Sequence, residues 1–415
     1  MNSSKTYYPL DSDKKVTDYI KNQPLLKNKF SSAKNLIIKD LADGNLNLVY
    51  AVIDQENPKN KILIKQALPH LRVLKEWKLI KERLEFEAKY YSVCNELNLK
   101  AIPEYYGYDS DMCVIMMEYL DNHIIFRKGM TNGQVFPEVG KITGEFLSKI
   151  LYQTSDFHQE YHKKTEEVIR FSNPHLCVLT HMAIFTNPYL GDDEGNIKMS
   201  VNPLVHSEIL ALRDDKELKS GVMEMKYGFM NKAQALLHGD LHSGSIMVNE
   251  SDTRIIDPEF CFYGPMGFDL GHVVGTIFLN YATQFAHIKD RIKRESYQEY
   301  LLKMVEDTWV NFENGFDEQW EKEADVLCTP VFRKNFYKEI LQDTAGYAGS
   351  KMIRRVARGT NLIDFLEIKD ERDRAEAISR NLEIGKNLVL QRKSFDSISD
   401  LIRVCVETKP IFKAS

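Results

Sequence analysis

The sequence predicts an α+β protein of two lobes, a small lobe built on an antiparallel sheet and a large lobe that is mostly helical. With 415 residues the chain is too long for one ordinary hydrophobic core. Its first 118 residues hold short apolar runs divided by turn signals, the pattern of consecutive strands. Beyond that point apolar residues recur mainly at helical spacing. We therefore place the lobes at residues 1–118 and 119–415.

The small lobe is predicted to contain five strands and one helix. Turn signals at Asp43-Gly44-Asn45 and Pro58-Lys59-Asn60 separate the first three strands, which should therefore pair antiparallel in sequence order. A helical pattern over residues 78–97 follows them. The predicted strands cover residues 34–41, 46–53, 61–67, 105–108 and 112–117.

The large lobe is predicted to be helical, apart from an irregular stretch at residues 173–193 and one β-hairpin. Two prolines and a glycine interrupt the periodicity of the irregular stretch. The hairpin joins short strands at residues 245–248 and 253–256 through the turn Asn249-Glu250-Ser251-Asp252. The predicted helices cover residues 139–153, 220–236, 273–285, 300–312, 331–357 and 372–390.

Acidic residues stand on both sides of this hairpin. Asp240 precedes it in the polar loop His238-Gly239-Asp240-Leu241-His242, and Asp257 and Glu259 follow its second strand. Because the hairpin reverses the chain, we expect Asp240 and the Asp257/Glu259 pair to lie close together in space. One carboxylate that orients a hydroxyl, with a further pair that holds Mg²⁺, is the minimum set for phosphoryl transfer from ATP.

The same residues also have a purely structural interpretation, in which Asp240 is a turn residue, Asp257 caps a strand and His238 is a satisfied core histidine. Three acids and two histidines crowded on one hairpin carry an electrostatic cost, which a fold tolerates when a cation or ligand offsets it. Phosphoryl transfer is therefore favoured over the structural interpretation.

Two features of the small lobe bear on that prediction. Lys65 lies in an apolar strand, where a lysine usually faces solvent, and Glu85 or Glu87 of the following helix could pair with it. The turn at Asp43-Gly44-Asn45 could cover phosphates with its backbone N–H groups. By itself each feature indicates only an ordinary hairpin or an exposed face.

The composition excludes several classes of protein. A content of 43% apolar and 28% charged residues is that of a globular chain. The net charge of −5 argues against a nucleic-acid binder. The apolar runs are too short to span a membrane, and the first residues lack the apolar core of a signal peptide. The six cysteines form no CxxC pair, which indicates reduced thiols in a cytoplasmic protein.

The sequence HGDLHSGSI at 238–246, with IDPEF at 256–260, resembles the phosphotransferases of the aminoglycoside-kinase and choline-kinase type, relatives of the protein kinases. More narrowly, HGDLHSGSIMV together with IDPEFCFYGPMGFDLG resembles the 5-methylthioribose kinase family. The resemblance extends over most of the chain, including DGNLNLVY at 43–50, IKQALPHLR at 64–72, FTNP at 185–188 and MIRRV at 352–356. It implies a bilobal protein-kinase-like fold, ATP and Mg²⁺ as cofactors, and a homodimer.

The resemblance assigns roles on the nucleotide side. The turn residues Asp43, Gly44 and Asn45, with Asn47, match the nucleotide-phosphate loop. Lys65 matches the lysine that reaches the phosphates, with Glu85 as its expected helix partner. Met117, Glu118 and Tyr119 match the linker whose backbone receives adenine. Asp257 and Glu259 match the Mg²⁺ ligands, and Ser245 stands at the position of a second metal ligand.

On the substrate side, Asp240 matches the catalytic aspartate that orients the attacking hydroxyl. Arg354 and Arg355 match the substrate-side arginines, and Asp269 is expected to orient the catalytic loop. The implied reaction is phosphorylation of the anomeric 1-hydroxyl of 5-methylthioribose, giving its 1-phosphate in methionine salvage.

Two alternatives stay open at this point. A related kinase of another small alcohol, of amino-sugar, choline or homoserine type, would use the same acids. The pair Arg354-Arg355 favours an anionic product over a cationic substrate. A catalytically inactive kinase-like binding protein would show damage at the lysine, the catalytic aspartate or the metal ligands, and the sequence retains all of them.

Overall fold

The computed structural model describes residues 7–30, 35–41, 47–70, 76, 78–190, 202–323, 325–357 and 362–414. It divides the chain into two compact units. The first comprises Met1–Asn122 together with Ile256–Cys261, and the second comprises His123–Ile255 with Phe262–Ser415. The chain therefore passes from the first unit to the second at residue 122, not at the expected 118. It also returns to the first unit for six residues that the sequence had placed in the large lobe.

The first unit contains a five-stranded antiparallel sheet with the strand order β1-β2-β3-β5-β4. The predicted pairing of the first three strands in sequence order is confirmed, and β3 spans the predicted residues. The strands are β1 (Leu36–Asp40), β2 (Asn47–Asp54), β3 (Lys61–Ala67), β4 (Tyr105–Asp109) and β5 (Val114–Met117).

Helices pack against this sheet because its strands alternate apolar residues toward a shared core. Val16 and Ile20 of the first helix join Val52 and Ile64 of the sheet in that core. The six returning residues include a short 3-10 turn, Pro258–Phe260. The Sγ of Cys261, the last of the six, donates a hydrogen bond to the carbonyl of Phe86. The helices of this unit are α1 (Asp13–Asn22), α2 (Lys27–Phe30) and α3 (Arg83–Glu96).

The second unit is mostly helical, as predicted. The expectation of an irregular stretch at 173–193 is wrong for its first half, which forms α7 because Pro174 stands at the first helical position, where its missing N–H is not needed. Its helices are α4 (Phe126–Thr131), α5 (Val139–Gln153), α6 (Tyr161–Arg170), α7 (Pro174–Phe185), α8 (His206–Asp214), α9 (Lys216–Asn231), α10 (Gly267–His287), α11 (Arg291–Glu323), α12 (Pro330–Ala357), α13 (Ile363–Leu366), α14 (Glu371–Gln391) and α15 (Ile398–Glu407).

Short strands hold the predicted hairpin in the second unit. The hairpin is confirmed as β8 and β9, and β6 pairs with the outer edge of β8. A second small sheet joins β7 to β10; the predicted helix at 220–236 ends at Asn231, and β7 follows it. These strands are β6 (Ile124–Ile125), β7 (Ala235–Leu237), β8 (Ile246–Val248), β9 (Thr253–Ile255) and β10 (Phe262–Gly264).

Helices α10 and α12 pack at unusually short range through glycines of α10. A Cβ at Gly271 would lie 2.7 Å from the carbonyl oxygen of Thr344, and one at Gly275 would lie 2.9 Å from that of Ala348. Only glycine allows the two backbones to approach this closely. The packing fixes α12 against α10, the helix that carries Asp269 and His272.

Within the described part of the chain, no helix is long and apolar enough to cross a membrane. All six cysteines lie in that part and are free thiols.

Candidate active site

Lys65 is the centre of a charged cluster in the first unit. Its Nζ lies 2.7 Å from Oε2 of Glu87 and 2.6 Å from Oδ1 of Asp257. The expectation that Glu85 is the helix partner is wrong: Glu85 pairs with Lys89 on its own helix, at 2.9 Å. The reason is helical geometry, since Glu87 lies on the face of α3 that packs into the unit, whereas the Glu85 side chain is 48% exposed.

The lysine carries its charge because two carboxylates surround it. Burial opposes the charge, but Asp257 and then Glu87 raise the pKa of Lys65 above its ordinary value. The alternative in which this lysine simply faces solvent is therefore excluded, because Lys65 is 5% exposed and forms a buried ion pair.

Asp257 adopts an unusual backbone conformation at the point where the chain re-enters the first unit. Its φ of 61° and ψ of 48° lie in the left-handed region, which is uncommon for residues other than glycine. The conformation places Oδ1 on Lys65 while the side chain stays 50% exposed. Lys65 engages Oδ1, so the half-exposed carboxylate retains Oδ2 for a cation.

Glu259 lies two residues further on, in the short turn that follows Asp257. Its Oε2 accepts a hydrogen bond from Asn47 Nδ2 at 3.4 Å and lies 3.6 Å from Nε of Arg83. Arg83 itself donates to Oδ1 of Asn47 at 2.7 Å, so the three side chains form one network. Arg83 is fully buried. Its place in this network was not predicted, because nothing in the neighbouring sequence distinguishes it from an ordinary helix arginine.

Two oxygen donors of the right type for Mg²⁺, Asp257 and Glu259, therefore belong to the same unit as Lys65. Among the described residues no group of three or more histidine, cysteine, aspartate or glutamate side chains is arranged to hold a metal by itself. A pair of carboxylates suits Mg²⁺, which usually keeps waters and takes further oxygens from the phosphates of its substrate.

Of the predicted nucleotide-phosphate loop, Asp43, Gly44 and Asn45 lie outside the described residues. Asn47 is described, and both ends of its side-chain amide are engaged by Arg83 and Glu259. A contact of this residue with a nucleotide would therefore use its main chain.

The predicted adenine linker follows β5. Met117 is buried and pairs with Leu63 and Tyr105 across the sheet. The N–H of Glu118 donates to the carbonyl of Glu104 at 2.8 Å. The linker is thus anchored at Glu118 before it reaches Tyr119.

Asp240 is the centre of a second cluster, which lies within the second unit. Its Oδ1 accepts a hydrogen bond from Lys351 Nζ at 2.7 Å and lies 3.8 Å from Nδ1 of His272, while Oδ2 lies 3.4 Å from Nε2 of His242. Burial acts to raise the pKa of Asp240, but Lys351 and then His242 hold it well below its ordinary value. The carboxylate is therefore ionised at neutral pH and 30% exposed.

The loop that carries Asp240 is held from α10, as the sequence led us to expect. Asp269 accepts hydrogen bonds from the N–H of His238 at 2.6 Å and of Gly239 at 3.1 Å. Gly239 has a φ of 82°, which a side chain would disfavour, so the loop turns sharply just before Asp240.

Arg354 and Arg355 lie in the last turn of α12. Burial lowers the pKa of Arg354, and Asp240 is the nearby charge that most opposes this effect. For Arg355, burial and then Arg354 lower the pKa, and its Nε has no hydrogen-bond partner among the described residues. A half-buried arginine pair near a carboxylate, with an unused donor at Arg355 Nε, is suited to binding an anion.

Ser245 follows the same loop. Its hydroxyl donates to the main-chain carbonyl of Asp240 at 3.0 Å and lies 3.4 Å from Nδ1 of His242. The hydrogen bond ties the end of the loop to Asp240, and the role of Ser245 as a metal ligand stays a prediction.

Three residues of this cluster were not predicted: Lys351, His272 and Arg127. Lys351 lies one helical turn before Arg354, so the predicted arginine pair was itself a signal that the same face of α12 approaches Asp240. Arg127 lies 3.3 Å from His242 Nδ1 and 3.8 Å from Asp364 Oδ2. It comes from α4, far away in sequence, and no local pattern connects it with the loop.

Residues 37–300 match the model of the phosphotransferase enzyme family. Methylthioribose kinase 1 of Oryza sativa subsp. japonica is 34% identical, over 95% of this chain and 94% of its own length. The methylthioribose kinase of Geobacillus thermodenitrificans is 33% identical, over 92% and 93% respectively. That of Escherichia coli is 35% identical, over 88% and 90%.

Among solved structures, a choline kinase from Cryptosporidium parvum aligns with a TM-score of 0.49 and 16% identity, over 96% of this chain and 98% of that one.

Proposed function

Because this chain belongs to the phosphotransferase enzyme family and, within it, to the methylthioribose kinases, we propose specific catalytic roles for the residues described above. The chain is an ATP-dependent kinase that transfers the γ-phosphoryl group of ATP to the 1-hydroxyl of 5-methylthioribose. The product is 5-methylthioribose 1-phosphate, which belongs to methionine salvage.

Asp240 orients the sugar hydroxyl and accepts its proton late in the transfer. Phosphoryl transfer passes through a loose transition state, so a carboxylate that positions the hydroxyl contributes more than one that fully deprotonates it. The low pKa of Asp240, held by Lys351, suits this role because the carboxylate is ionised before substrate binds. Its partial exposure gives a hydroxyl access to it.

Lys65 contacts the phosphates of the nucleotide, and Glu87 keeps the lysine in position. Asp257 and Glu259 would hold Mg²⁺, with Ser245 as a further candidate ligand. When bound, Mg²⁺ neutralises charge on the phosphates. Asp43, Gly44, Asn45 and the main chain of Asn47 cover the phosphates, and Met117, Glu118 and Tyr119 receive adenine through their backbone.

Arg354 and Arg355 stabilise negative charge on the transferred phosphoryl group or on the sugar phosphate. Their partial burial strengthens such an interaction, because a partly desolvated guanidinium interacts more strongly with an anion than a fully exposed one does. The observation that carries the proposal is the ionised, partly exposed Asp240, which lies among Lys351, His242 and the two arginines of α12.

The test is ADP release from the purified protein with Mg-ATP, comparing 5-methylthioribose with choline, kanamycin and ribose. Turnover on 5-methylthioribose alone supports the proposed substrate and reaction. Faster turnover on another alcohol would keep the phosphotransferase family and the roles of Asp240, Asp257 and Glu259 but replace the substrate.

We also propose that the protein is a cytoplasmic homodimer. The family resemblance supports the homodimer, and the six free cysteines are those expected of a reducing compartment. Light scattering coupled to size exclusion tests the assembly: a mass of two chains is expected, and a mass of one chain would overturn it.

A further inference from the structure

We propose that Lys351 is a positioning residue for Asp240: it holds one carboxylate oxygen from the protein side and leaves the other to accept the hydroxyl of the substrate. This inference rests on the proposed role of Asp240 as the catalytic aspartate. Helix α12 would then contribute Lys351 to the site in addition to Arg354 and Arg355.

The geometry distinguishes the two oxygens of Asp240. Oδ1 is 2.7 Å from Lys351 Nζ, the distance of a strong charge-assisted hydrogen bond. Oδ2 is 3.4 Å from Nε2 of His242, a much weaker contact. The Lys351 side chain is 4% exposed and that of Asp240 is 30% exposed. The lysine therefore occupies the buried side of the carboxylate, while part of the carboxylate stays accessible to a substrate.

The two histidines near Asp240 do not replace the lysine. Burial lowers the pKa of His242 to about 3, so its ring is neutral. Its Nδ1 accepts from the N–H of Gly244 at 2.9 Å, which leaves the ring proton on Nε2 as a neutral donor toward Oδ2. Burial also lowers the pKa of His272 well below its ordinary value, and neither ring nitrogen of His272 has a hydrogen-bond partner within the described residues.

The arginines of the cluster have no ion pair with Asp240 among the contacts of the described residues, whereas Lys351 has one. Lys351 is therefore the charged donor that fixes the carboxylate. Its place is set by packing, because α12 is held against α10 at Gly271 and Gly275, and α10 in turn holds the loop through Asp269. The same helices thus fix the lysine and the aspartate relative to each other.

A buried ion pair can also serve stability alone, and breaking one by removing a single partner is generally destabilising. The two roles differ in what they predict for the reaction. A positioning role predicts a loss in kcat with ATP binding preserved. A purely structural role predicts a lower melting temperature, with kcat and both KM values unchanged in the folded fraction.

The test compares Lys351→Met and Lys351→Arg with a matched control, Lys232→Met, in the full-length protein. Lys232 also pairs with an aspartate of α12, since its Nζ lies 2.6 Å from Oδ2 of Asp343. It has no contact with Asp240. For Lys351→Met we expect kcat to fall roughly 10- to 100-fold, the scale on which small misplacements act, and KM for ATP to change less than about twofold. Lys351→Arg should recover part of the loss, and Lys232→Met should lower the melting temperature without changing kcat.

A double variant separates the remaining possibilities. In a background of Asp240→Asn, Lys351→Met should lower the residual kcat by less than about threefold, because residues that act as a unit are not additive. Unchanged kcat in a folded Lys351→Met protein, or a full effect in the double variant, would overturn the inference. If Lys351→Met does not fold, Lys351→Gln is made in its place and compared with Lys351→Arg. Equal kcat in these two folded proteins overturns the inference, and a higher kcat in Lys351→Arg supports it. Wild-type turnover on 5-methylthioribose tests the proposed function separately.

Discussion

Lys65 of β3 pairs with Glu87, and not with Glu85, on α3. Two glutamates separated by one residue lie about 200° apart on a helix, so only one of them can face the strand. The buried one lies 2.7 Å from the lysine, and the exposed one contacts Lys89.

Glu87→Gln is therefore expected to weaken ATP binding, because the neutral side chain no longer holds the lysine toward the phosphates. We expect KM for ATP to rise roughly 10-fold, the scale of losing one buried charge-assisted hydrogen bond. Glu85→Gln is the matched control and should leave KM for ATP within about twofold. Equal effects of the two variants would mean that the pairing with Glu87 does not serve nucleotide binding.

Asp240→Asn tests the catalytic aspartate. The amide keeps the shape of the side chain but cannot accept the proton of the hydroxyl, so kcat should fall by about 10²- to 10⁴-fold. ATP binding, measured by calorimetry with a non-hydrolysable analogue, should change little, because the proposed nucleotide contacts are elsewhere. Turnover close to that of the wild type would contradict the assignment of Asp240 as the catalytic aspartate.

Asp257→Asn tests the proposed metal ligand. The concentration of free Mg²⁺ needed for half-maximal rate should rise about 10-fold or more, because the amide lacks the charge that binds a hard cation. Removal of Mg²⁺ by a chelator should abolish turnover in the wild type. Asp121→Asn, which removes a carboxylate paired with Lys61 in the same unit, is the control and should not change the Mg²⁺ requirement. An unchanged requirement in Asp257→Asn would exclude it as a ligand.

The pH dependence of kcat reports on Lys351. Burial lowers the pKa of this lysine to about 7, with Asp240 opposing the shift and Arg355 and Arg354 adding to it. The ammonium is present below that value and is lost as pH rises through it, so kcat should decline on the alkaline side of about pH 7. Lys351→Arg should move the decline to higher pH, since guanidinium keeps its proton. A decline at the same pH in both proteins would assign it to another group.

The packing of α10 on α12 can be tested by Gly271→Ala. The added Cβ would lie 2.7 Å from a backbone carbonyl of Thr344, which cannot move aside without shifting α12. We expect unfolding free energy to fall by about 1–3 kcal/mol in denaturant titrations, despite the better helix propensity of alanine. Gly221→Ala on α9 is the control, because the close contact of its Cβ, at 2.8 Å, is with Cγ1 of Val389, and the carbonyl oxygen of Val389 lies 3.7 Å away. It should destabilise less, and equal losses would argue against a backbone clash.

The sequence alone determined several of the elements and the chemical inventory. The alternation of apolar residues placed β3 at Lys61–Ala67, and helical spacing placed α5 at Val139–Gln153, both as the structure has them. These elements were predictable because their periodicity is local. The acids around the hairpin were likewise visible, since Asp240, Asp257 and Glu259 stand within one short stretch of chain.

The tertiary structure decided which of these groups have partners, and which partners they have. Lys65 pairs with Glu87 because the face of α3 that carries Glu87 is buried. Asp240 pairs with Lys351 because α10 and α12 pack closely at the glycines of α10. These contacts join residues 22 and 111 positions apart, so no local pattern encodes them. Burial opposes the charge of Asp240, and the carboxylate stays ionised because packing of the second unit brings Lys351 and His242 beside it. That arrangement is a property of the packing and not of the sequence motif.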